Sequence, residues 1–242
     1  MHPTAITNAD LFFKTYVDKV AGELKVVEVG SQDVNGSLRQ LCPKQVEYVG
    51  VDFVDGKSVD IVLGNPYELP FEDASVDIVL SSSVFEHSDM FWLLFTDIMR
   101  VLKPQGLFYL NAPSNGEFHQ YPVDCWRFYP DSGQALVKWA NRCGFNADLL
   151  ESFVSAQWGD IWNDFVAVFI KDANYAVRYP NRILHVKKDF FNGRVRGEPK
   201  LLRHRGQTED LMKLNFLMGI CGIKAGRSRH RLAKFLLGIW RQ

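Results

Sequence analysis

The stretch FHQYPVDCWRF, residues 118–128, concentrates side chains that bind or activate ligands. They are His119, Tyr121, Asp124, Trp126 and Arg127. His119 and Asp124 are both candidate general bases, because a hydroxyl is a poor nucleophile until a nearby base takes its proton. Trp126 offers a flat platform for a sugar face, and Arg127 offers a guanidinium for a phosphate or carboxylate. The stretch therefore predicts a site for a hydroxyl-bearing ligand, with Tyr121 as a further contact and the choice of base left open.

A second set of polar residues lies where predicted strands end, which is where open α/β sheets bind their ligands. The first such strand ends in Glu28, Gly30 and Ser31, and the second, YVGVD, ends in Asp52. An acidic side chain at that second position accepts hydrogen bonds from both hydroxyls of a ribose in dinucleotide sites. We therefore expect Asp52 to bind a ribose.

Three other residues complete the predicted nucleoside site. Asn65 follows the third strand, and its amide is suited to an adenine edge. Phe53 or Tyr67 is expected to lie against the adenine ring. Ser82 ends the fourth strand and is included among the cofactor-binding candidates.

The turn after the first strand favours a ligand without phosphates. A dinucleotide site needs G-x-G-x-x-G, so that the backbone can approach the pyrophosphate, and this pattern fails at Gln32. The carboxylates of Glu28 and Asp33 would also repel phosphate, whereas they suit an ammonium group. A nicotinamide-dependent dehydrogenase is accordingly disfavoured.

The elements that must position these residues are strands alternating with helices. Seven apolar runs of strand type are predicted, at 24–30, 46–53, 59–64, 76–83, 106–113, 145–153 and 164–171. A helix capped by Ser88 stops before Pro104, and another covers 130–142. An earlier helix is capped by Asn8, with Val20 on its apolar face. This alternation predicts an α/β fold with a doubly wound, seven-stranded, mostly parallel sheet.

The order of EVGS, YVGVD, GNPYELPFEDASVDIVLSSSVFEH and RVLKPQGLFYLNAPS over roughly residues 25–115 resembles the class I, type 11-like S-adenosylmethionine-dependent methyltransferases. The LPF-ED-S-x-D-I-V block and the LKPxG turn make the likeness more specific than the glycine turn alone. The chain departs from the family pattern at Gln32, where a second glycine is usual, and at Asn65-Pro66, where Asp-Ala is usual.

This resemblance implies a Rossmann-like fold, methyltransferase activity and S-adenosyl-L-methionine as the cofactor. It also implies that the backbone at Gly30 approaches the methionyl group, with Glu28 nearby. By the same resemblance, Asp52 binds the ribose and Asn65 lies near the adenine.

A narrower resemblance concerns the acceptor. FHQYPVDCWRFYPDSGQAL (118–136), together with SQDVNGSLR, is similar to a subgroup associated with polysaccharide and glycan biosynthesis. It implies that the loop after the fifth strand faces a saccharide hydroxyl, which would be O-methylated. Two alternatives stay open: a small aromatic or natural-product hydroxyl as the acceptor, and a non-catalytic binding protein with the same fold.

His87, in VFEH after the fourth strand, is either a helix-capping histidine or the next candidate for the catalytic base. Glu86, His87, His119 and Asp124 carry metal-binding atom types, but their spacing matches no metal-ligand motif, so no metal is predicted. The four cysteines are dispersed without a C-x-x-C pair, which is typical of a reducing compartment.

The charge distribution suggests a division into a methyltransferase domain, 1–171, and a basic extension, 172–242. The first part has 12 Lys and Arg against 23 Asp and Glu, and the second has 16 against 5. A predicted amphipathic helix at 228–240 is expected to dock on the acidic body or to form a homodimer. Its basic face would also attract anionic or lipid-linked glycans.

No secretory signal or membrane-spanning run is visible in the sequence. We expect a cytoplasmic protein, with peripheral binding at the inner face of the membrane as the alternative, and no nucleic-acid partner.

Overall fold

The computed structural model describes residues 2–18 and 22–220, and the chain divides into two compact units, Met1–His204 and Arg205–Gln242. Among the described residues, the strands are β1 Lys25–Val29, β2 Glu47–Asp52, β3 Ile61–Val62, β4 Val76–Ser82, β5 Leu102–Pro113, β6 Asp148–Ser155, β7 Asp164–Ile170 and β8 Phe190–Val195. The α-helices are α1 Pro3–Phe12, α2 Phe91–Val101, α3 Ser132–Arg142 and, in the second unit, α4 Glu209–Ile220. The strands form one sheet in the order β3-β2-β1-β4-β5-β7-β6-β8.

The central strands are buried on both faces, as the apolar runs in the sequence predict. In β5, Phe108 and Leu110 pack on the face that holds α2 and α3, whereas Tyr109 packs against Phe12 of α1 on the other face. Strands β1 to β5 pair in parallel, while β7 pairs antiparallel with β5 and β6. The predicted doubly wound, mostly parallel α/β sheet is confirmed, and each of the seven predicted strands is present.

The structure adds an eighth strand that the sequence analysis places outside the sheet. Strand β8 pairs antiparallel with β6, and the first compact unit extends to His204. The prediction that everything after Lys171 is an appended extension is therefore wrong for residues 172–204.

Buried contacts to β6 explain why this basic segment joins the sheet. The Glu151 carboxylate accepts the backbone N–H groups of Ile183 at 2.7 Å and Leu184 at 3.0 Å. The Arg182 guanidinium donates to the Leu150 carbonyl at 3.1 Å. An irregular segment becomes ordered when another element satisfies its backbone groups, and the segment's own sequence does not reveal that partner.

The N-terminal helix begins earlier than predicted, at Pro3, so Asn8 is not its cap. Asn8 is instead fully buried, and its amide donates to Asn111 at 3.1 Å and accepts from Ser155 at 3.0 Å. Ser88 likewise does not cap α2, whose cap is Met90. The predicted position of Val20 lies outside the described residues.

The second unit is described as far as residue 220. Helix α4 has Glu209 and Asp210 in its first turn, as favoured at a helix N-terminus. The helix predicted at 228–240 lies outside the described residues. Over 2–18 and 22–220, we find no helix whose length and apolar character suit a membrane crossing.

Candidate active site

A pocket of about 580 Å³ opens at the carboxyl ends of β1, β2 and β4. Its lining includes Gly30 after β1, Asp52 at the end of β2 and Ser82 at the end of β4. The loop after β5 contributes His119 and Tyr121. The parallel strands thus bring distant parts of the chain to one edge of the sheet, where ligands bind in folds of this kind.

The turn after β1 requires a glycine at its first position. Gly30 has a φ of 80°, and a Cβ there would lie 2.0 Å from a methyl carbon of Val84. The backbone N–H groups of Gly30 and Ser31 both donate to the Val51 carbonyl, at 2.9 and 3.2 Å. The turn is therefore tied to β2 and presents backbone to the pocket, as a close approach to a ligand requires.

The Asp52 carboxylate is oriented by the backbone around it. Its Oδ2 accepts the N–H of Gln32 at 3.1 Å, and its Oδ1 accepts the N–H of Val54 at 3.2 Å. Each carboxylate oxygen has a second lone pair, so Asp52 can still accept two hydroxyl donors. An acceptor-only group held at the pocket wall fits the two hydroxyls of a ribose.

The neighbouring part of the pocket is apolar and fits a flat ring. Phe53 is 50% exposed and lines the pocket together with Leu63, Pro66 and Tyr67. Asn65 is exposed and does not line it, because its side-chain oxygen accepts the N–H of Tyr67 at 3.0 Å and holds the turn. The structure thus differs from the expectation for Asn65. The next two residues, Pro66 and Tyr67, line the apolar part of the pocket instead.

Ser82 is the clearest sign of a missing polar partner in the pocket wall. Its side chain is buried, and its hydroxyl oxygen has no hydrogen-bond partner within the described part of the chain. Because a buried hydroxyl without a partner is unfavourable, a bound ligand that supplies one would be stabilised here.

Glu28 and Ser31 lie away from the pocket. Glu28 accepts a hydrogen bond from the Tyr48 hydroxyl at 2.7 Å, on the opposite face of the sheet from Val27 and Val29. Burial raises the pKa of its carboxyl to about 7. Ser31 is buried against Gly50 of β2. The predicted contact of Glu28 with a cofactor is therefore not a direct one in this arrangement.

The other end of the pocket holds two imidazoles. The rings of His87 and His119 meet edge to face with their centroids 4.9 Å apart, and both residues line the pocket. The Nδ1 of His87 is hydrogen-bonded to the Val123 carbonyl. Burial lowers the pKa of His87, so this ring is neutral at physiological pH and offers a lone pair.

Asp124 and Arg127 are brought together by the loop, but as partners of each other. The Arg127 guanidinium donates to both carboxylate oxygens of Asp124, at 2.5 and 2.8 Å, and to the Glu117 carbonyl at 2.6 Å. Hydrogen bonding to Arg127 lowers the pKa of Asp124 to about 2, which makes it a poor base. Asp124 also accepts the backbone N–H of His119 at 2.7 Å, so the pair fixes the loop that carries His119.

Trp126 has a packing role. Its indole N–H donates to the Ser88 carbonyl at 2.9 Å, and its ring meets Phe91 and Trp92 of α2 edge to face. Neither Trp126 nor Arg127 lines the pocket, whereas Tyr121 does. Of the three predicted acceptor contacts, the structure places only Tyr121 beside the space that a ligand would fill.

Gln32 and Glu86 lie near the candidate site, although the sequence analysis assigned neither of them to it. The Tyr121 hydroxyl donates to the Gln32 side chain at 3.4 Å, so the residue in place of a family glycine reaches the acceptor loop. Glu86 is 1% exposed beside His87, and burial raises the pKa of its carboxyl to about 8. The only sequence signal for Glu86 is its place next to a histidine at a strand end.

Comparison with known proteins identifies the class of domain. Residues 25–110 match the family described as methyltransferase domain. Over 69 residues the chain is 42% identical to an uncharacterized methyltransferase of Mycobacterium tuberculosis (strain H37Ra), covering 28% of this chain and 27% of that protein. Over 60 residues it is 42% identical to a Mycolicibacterium smegmatis protein named probable S-adenosylmethionine-dependent methyltransferase, covering 25% and 23%. The chain thus spans about a quarter of the length of these curated relatives.

A solved structure supports the fold. The chain aligns with the 1,6-didemethyltoxoflavin-N1-methyltransferase of Burkholderia thailandensis, crystallised with 1,6-didemethyltoxoflavin and S-adenosylhomocysteine, at a TM-score of 0.53 and 14% identity. The alignment covers 69% of this chain and 78% of that one, and at this identity it speaks for the fold alone. Residues 25–110 thus match the methyltransferase-domain family, and the chain has the Rossmann-like α/β fold of solved methyltransferases.

Proposed function

We propose that the protein is an S-adenosylmethionine-dependent O-methyltransferase that acts on a hydroxyl of a saccharide or glycan. The observation that carries this proposal is the continuity of the pocket. Asp52 and an apolar ring site lie at one end, and two histidines lie at the other. A nucleoside held at the first end would direct its sulfonium methyl toward a hydroxyl held at the second.

The residues at the nucleoside end fit S-adenosylmethionine. Asp52 would accept the ribose hydroxyls, Phe53, Leu63 and Tyr67 would enclose the adenine, and the Gly30 backbone would face the methionyl group. The bound cofactor supplies an electrophilic methyl: the S–CH₃ bond breaks with its electron pair left on sulfur, an O–CH₃ bond forms, and the hydroxyl proton passes to a base. The 42% identity to a relative named as S-adenosylmethionine-dependent supports this cofactor.

His119 is the base that the geometry favours in a metal-free site. Its Nδ1 lies 3.2 Å from the Glu117 carbonyl and 3.4 Å from Asp124 Oδ2, so a proton on Nδ1 has two acceptors. The tautomer protonated on Nδ1 leaves the Nε2 lone pair free to take a proton from the acceptor. Asp124 and Arg127 position the ring, and general-base help of this kind is worth about 10²–10⁴-fold in rate.

The saccharide acceptor is supported by the loop rather than by the fold. Tyr121 is 55% exposed at the pocket lining and offers an aromatic face beside the two histidines. The likeness of residues 118–136 to glycan-biosynthesis enzymes points in the same direction. Aromatic faces also bind aromatic acceptors, so the test must include both classes.

The test is transfer of labelled methyl from S-adenosylmethionine to panels of sugars, nucleotide sugars, oligosaccharides and phenolic hydroxyls. We expect label in a saccharide, and loss of at least about tenfold in rate for His119→Ala, with S-adenosylhomocysteine affinity unchanged. Label only in phenolic compounds would overturn the saccharide assignment. Absence of S-adenosylhomocysteine binding in calorimetry would overturn the methyltransferase proposal and leave a non-catalytic binding protein.

A further inference from the structure

Three potential metal ligands meet at the acceptor end of the pocket. One ligand atom from each of Glu86, His87 and His119 lies within 4.8 Å of the others. Glu86 and His87 belong to a short 3₁₀-helix, Phe85–His87, after β4, whereas His119 comes from the loop after β5. Glu86 and His87 are adjacent in the sequence but His119 is distant from both, which explains why spacing alone predicts no metal site.

The Glu86 carboxylate needs a partner that the described residues do not supply. Its side chain is buried, and its Oε2 has no hydrogen-bond partner over residues 2–18 and 22–220. Its Oε1 lies 3.7 Å from the Nε2 of His87, too far for a hydrogen bond but close enough for both atoms to bind one ion. A buried carboxylate oxygen without a donor is unfavourable, and a cation would satisfy it.

Both histidines have their Nδ1 atoms occupied by outer contacts. The Nδ1 of His87 is hydrogen-bonded to the Val123 carbonyl, and the Nδ1 of His119 lies 3.2 Å from the Glu117 carbonyl. Nδ1 is then the protonated nitrogen in each ring, which leaves a lone pair on each Nε2. A histidine that binds a metal through one nitrogen usually donates its other N–H to a carbonyl or carboxylate in this way.

The backbone holds the two segments together. The Glu86 carbonyl accepts the N–H groups of Cys125 and Trp126, at 2.7 and 3.2 Å. The 3₁₀-helix and the acceptor loop are thus hydrogen-bonded directly to each other through their backbones. Ligands held on mutually anchored segments need little rearrangement to close around an ion.

We propose that Glu86, His87 and His119 bind a divalent transition-metal ion at the acceptor end of the pocket. Two imidazoles and one carboxylate suit Zn²⁺ or Co²⁺ better than Mg²⁺ or Ca²⁺, which prefer ligand sets made of oxygen. Three protein ligands leave coordination positions open, and His87 and His119 line the pocket, so an acceptor oxygen can reach the ion.

The role of the ion rests on the proposed methyltransferase function. An acceptor hydroxyl coordinated to the ion would lose its proton to solvent water more readily, as metal-bound water does. The imidazoles would then hold the ion instead of taking the proton themselves. The binding site stands independently of that role, because it is defined by the three ligands.

The test begins with the full chain freed of metal by a chelator. Co²⁺ alone is then added, and its binding is measured by visible absorption and by calorimetry. We expect one Co²⁺ per chain, with at least about tenfold weaker binding in Glu86→Gln, His87→Ala and His119→Ala. His204→Ala is the matched control, because His204 is exposed and outside the cluster, and it should bind Co²⁺ like the parent. Unchanged S-adenosylhomocysteine binding shows that each variant is folded.

Two outcomes separate the proposals. Co²⁺ binding that is absent, or that survives all three substitutions, overturns the metal site. Methyl transfer that continues in the chelated protein would then leave His119 as the base and the proposed function intact. Co²⁺ binding that depends on the three ligands, in a protein that transfers methyl to no acceptor, would establish the site and overturn the proposed function.

Discussion

At the scale of single residues, we expect the affinity for the cofactor to depend most on Asp52. Its carboxylate is already oriented by the N–H groups of Gln32 and Val54, so little ordering is required when a ribose binds. Hydrogen bonds to a charged acceptor are worth about 1.5–3 kcal/mol each. Because Asp52→Ala removes two such bonds, we expect it to weaken S-adenosylhomocysteine binding by about 100-fold or more in calorimetry.

The matched control for Asp52 is Asp55→Ala. Asp55 is an exposed acid three residues further on, outside the pocket lining. It should bind S-adenosylhomocysteine with parental affinity. Equal affinities for both variants and the parent would remove Asp52 from the nucleoside site.

Glu28 is expected to control the pH dependence of stability rather than ligand binding. Burial raises the pKa of its carboxyl from 4.5 to about 7, so the folded protein favours the neutral form. The stabilisation is complete below pH 4.5 and is lost as the pH rises toward 7, because the unfolded chain ionises first. Glu28→Gln keeps an oxygen for the Tyr48 hydroxyl but cannot ionise.

From pH 5 to pH 8, the free energy of unfolding of the parent should therefore fall by about 2 kcal/mol more than that of Glu28→Gln, by urea denaturation. Glu23→Gln, at an exposed position, should follow the parent. If the pH profiles of Glu28→Gln and the parent run in parallel, the carboxyl does not titrate in this range.

The sequence predicted pocket-lining residues correctly where their place at the end of a strand is enough to bring them to the pocket. Gly30, Asp52, Phe53 and Ser82 were found in this way, because parallel strands bring their carboxyl ends to one edge. The prediction for Glu28 was not met because side chains alternate between the two faces of a strand. Val29 lines the pocket, and Glu28 points to the opposite face of the sheet. That alternation was visible in the sequence, whereas the ion pair between Arg127 and Asp124 was not.

At the scale of elements, the loop after β5 is held in place by the buried pair of Asp124 and Arg127. The side chain of Asp124 is 2% exposed, and its Arg127 partner also donates to the Glu117 carbonyl. Arg127→Ala would leave a buried carboxylate without its cation, which costs about 1–3 kcal/mol or more. We expect faster hydrogen exchange in peptides covering 115–127 and weaker methyl transfer, with cofactor affinity nearly unchanged.

Arg142→Ala provides the comparison for Arg127, since Arg142 is an exposed arginine at the end of α3. Its exchange pattern in 115–127 should equal that of the parent. Identical exchange in both variants would show that the ion pair does not order the loop.

The strands of the sheet differ in how well they could be predicted from the sequence. Strands β1, β4 and β7 are rich in apolar residues, and the burial of most of their positions on both faces gives the pattern its strength. Strand β8 reads FFNGRV, with an asparagine and a glycine at its centre, which disfavour strands. Its formation depends on pairing with β6 and on burial of its two phenylalanines, neither of which is local in sequence.

At the scale of the whole molecule, the charge asymmetry is partly neutralised inside the first unit. Residues 172–204 are basic, and two of their arginines pair with acids of the sheet domain. Arg194 lies 3.0 Å from Asp131, and Arg196 lies 2.6 Å from Asp148. The basic charge beyond residue 204 is the part that we propose to attract anionic or lipid-linked glycans, or to support a homodimer.

Truncation tests this division of the molecule. A chain ending at Lys171 removes β8 and the N–H groups of Ile183 and Leu184, and so leaves the buried Glu151 carboxylate with the Tyr16 hydroxyl as its remaining partner. Because uncompensated burial of a carboxylate and exposure of the β6 edge are both unfavourable, we expect this chain to aggregate or to melt at a much lower temperature.

A chain ending at His204 retains the whole first unit and should keep the circular dichroism spectrum and cooperative melting of the sheet domain. Two comparisons with the full chain measure what residues 205–242 add. Light scattering compares the oligomeric states, and kinetics at low and high salt compares the Michaelis constants for anionic acceptors. A 1–171 chain as stable as the 1–204 chain would show that β8 is dispensable. Identical oligomeric state and identical salt dependence of the 1–204 chain and the full chain would remove the extension from both assembly and acceptor binding, because a basic segment that recruits anions must act through charges that salt screens.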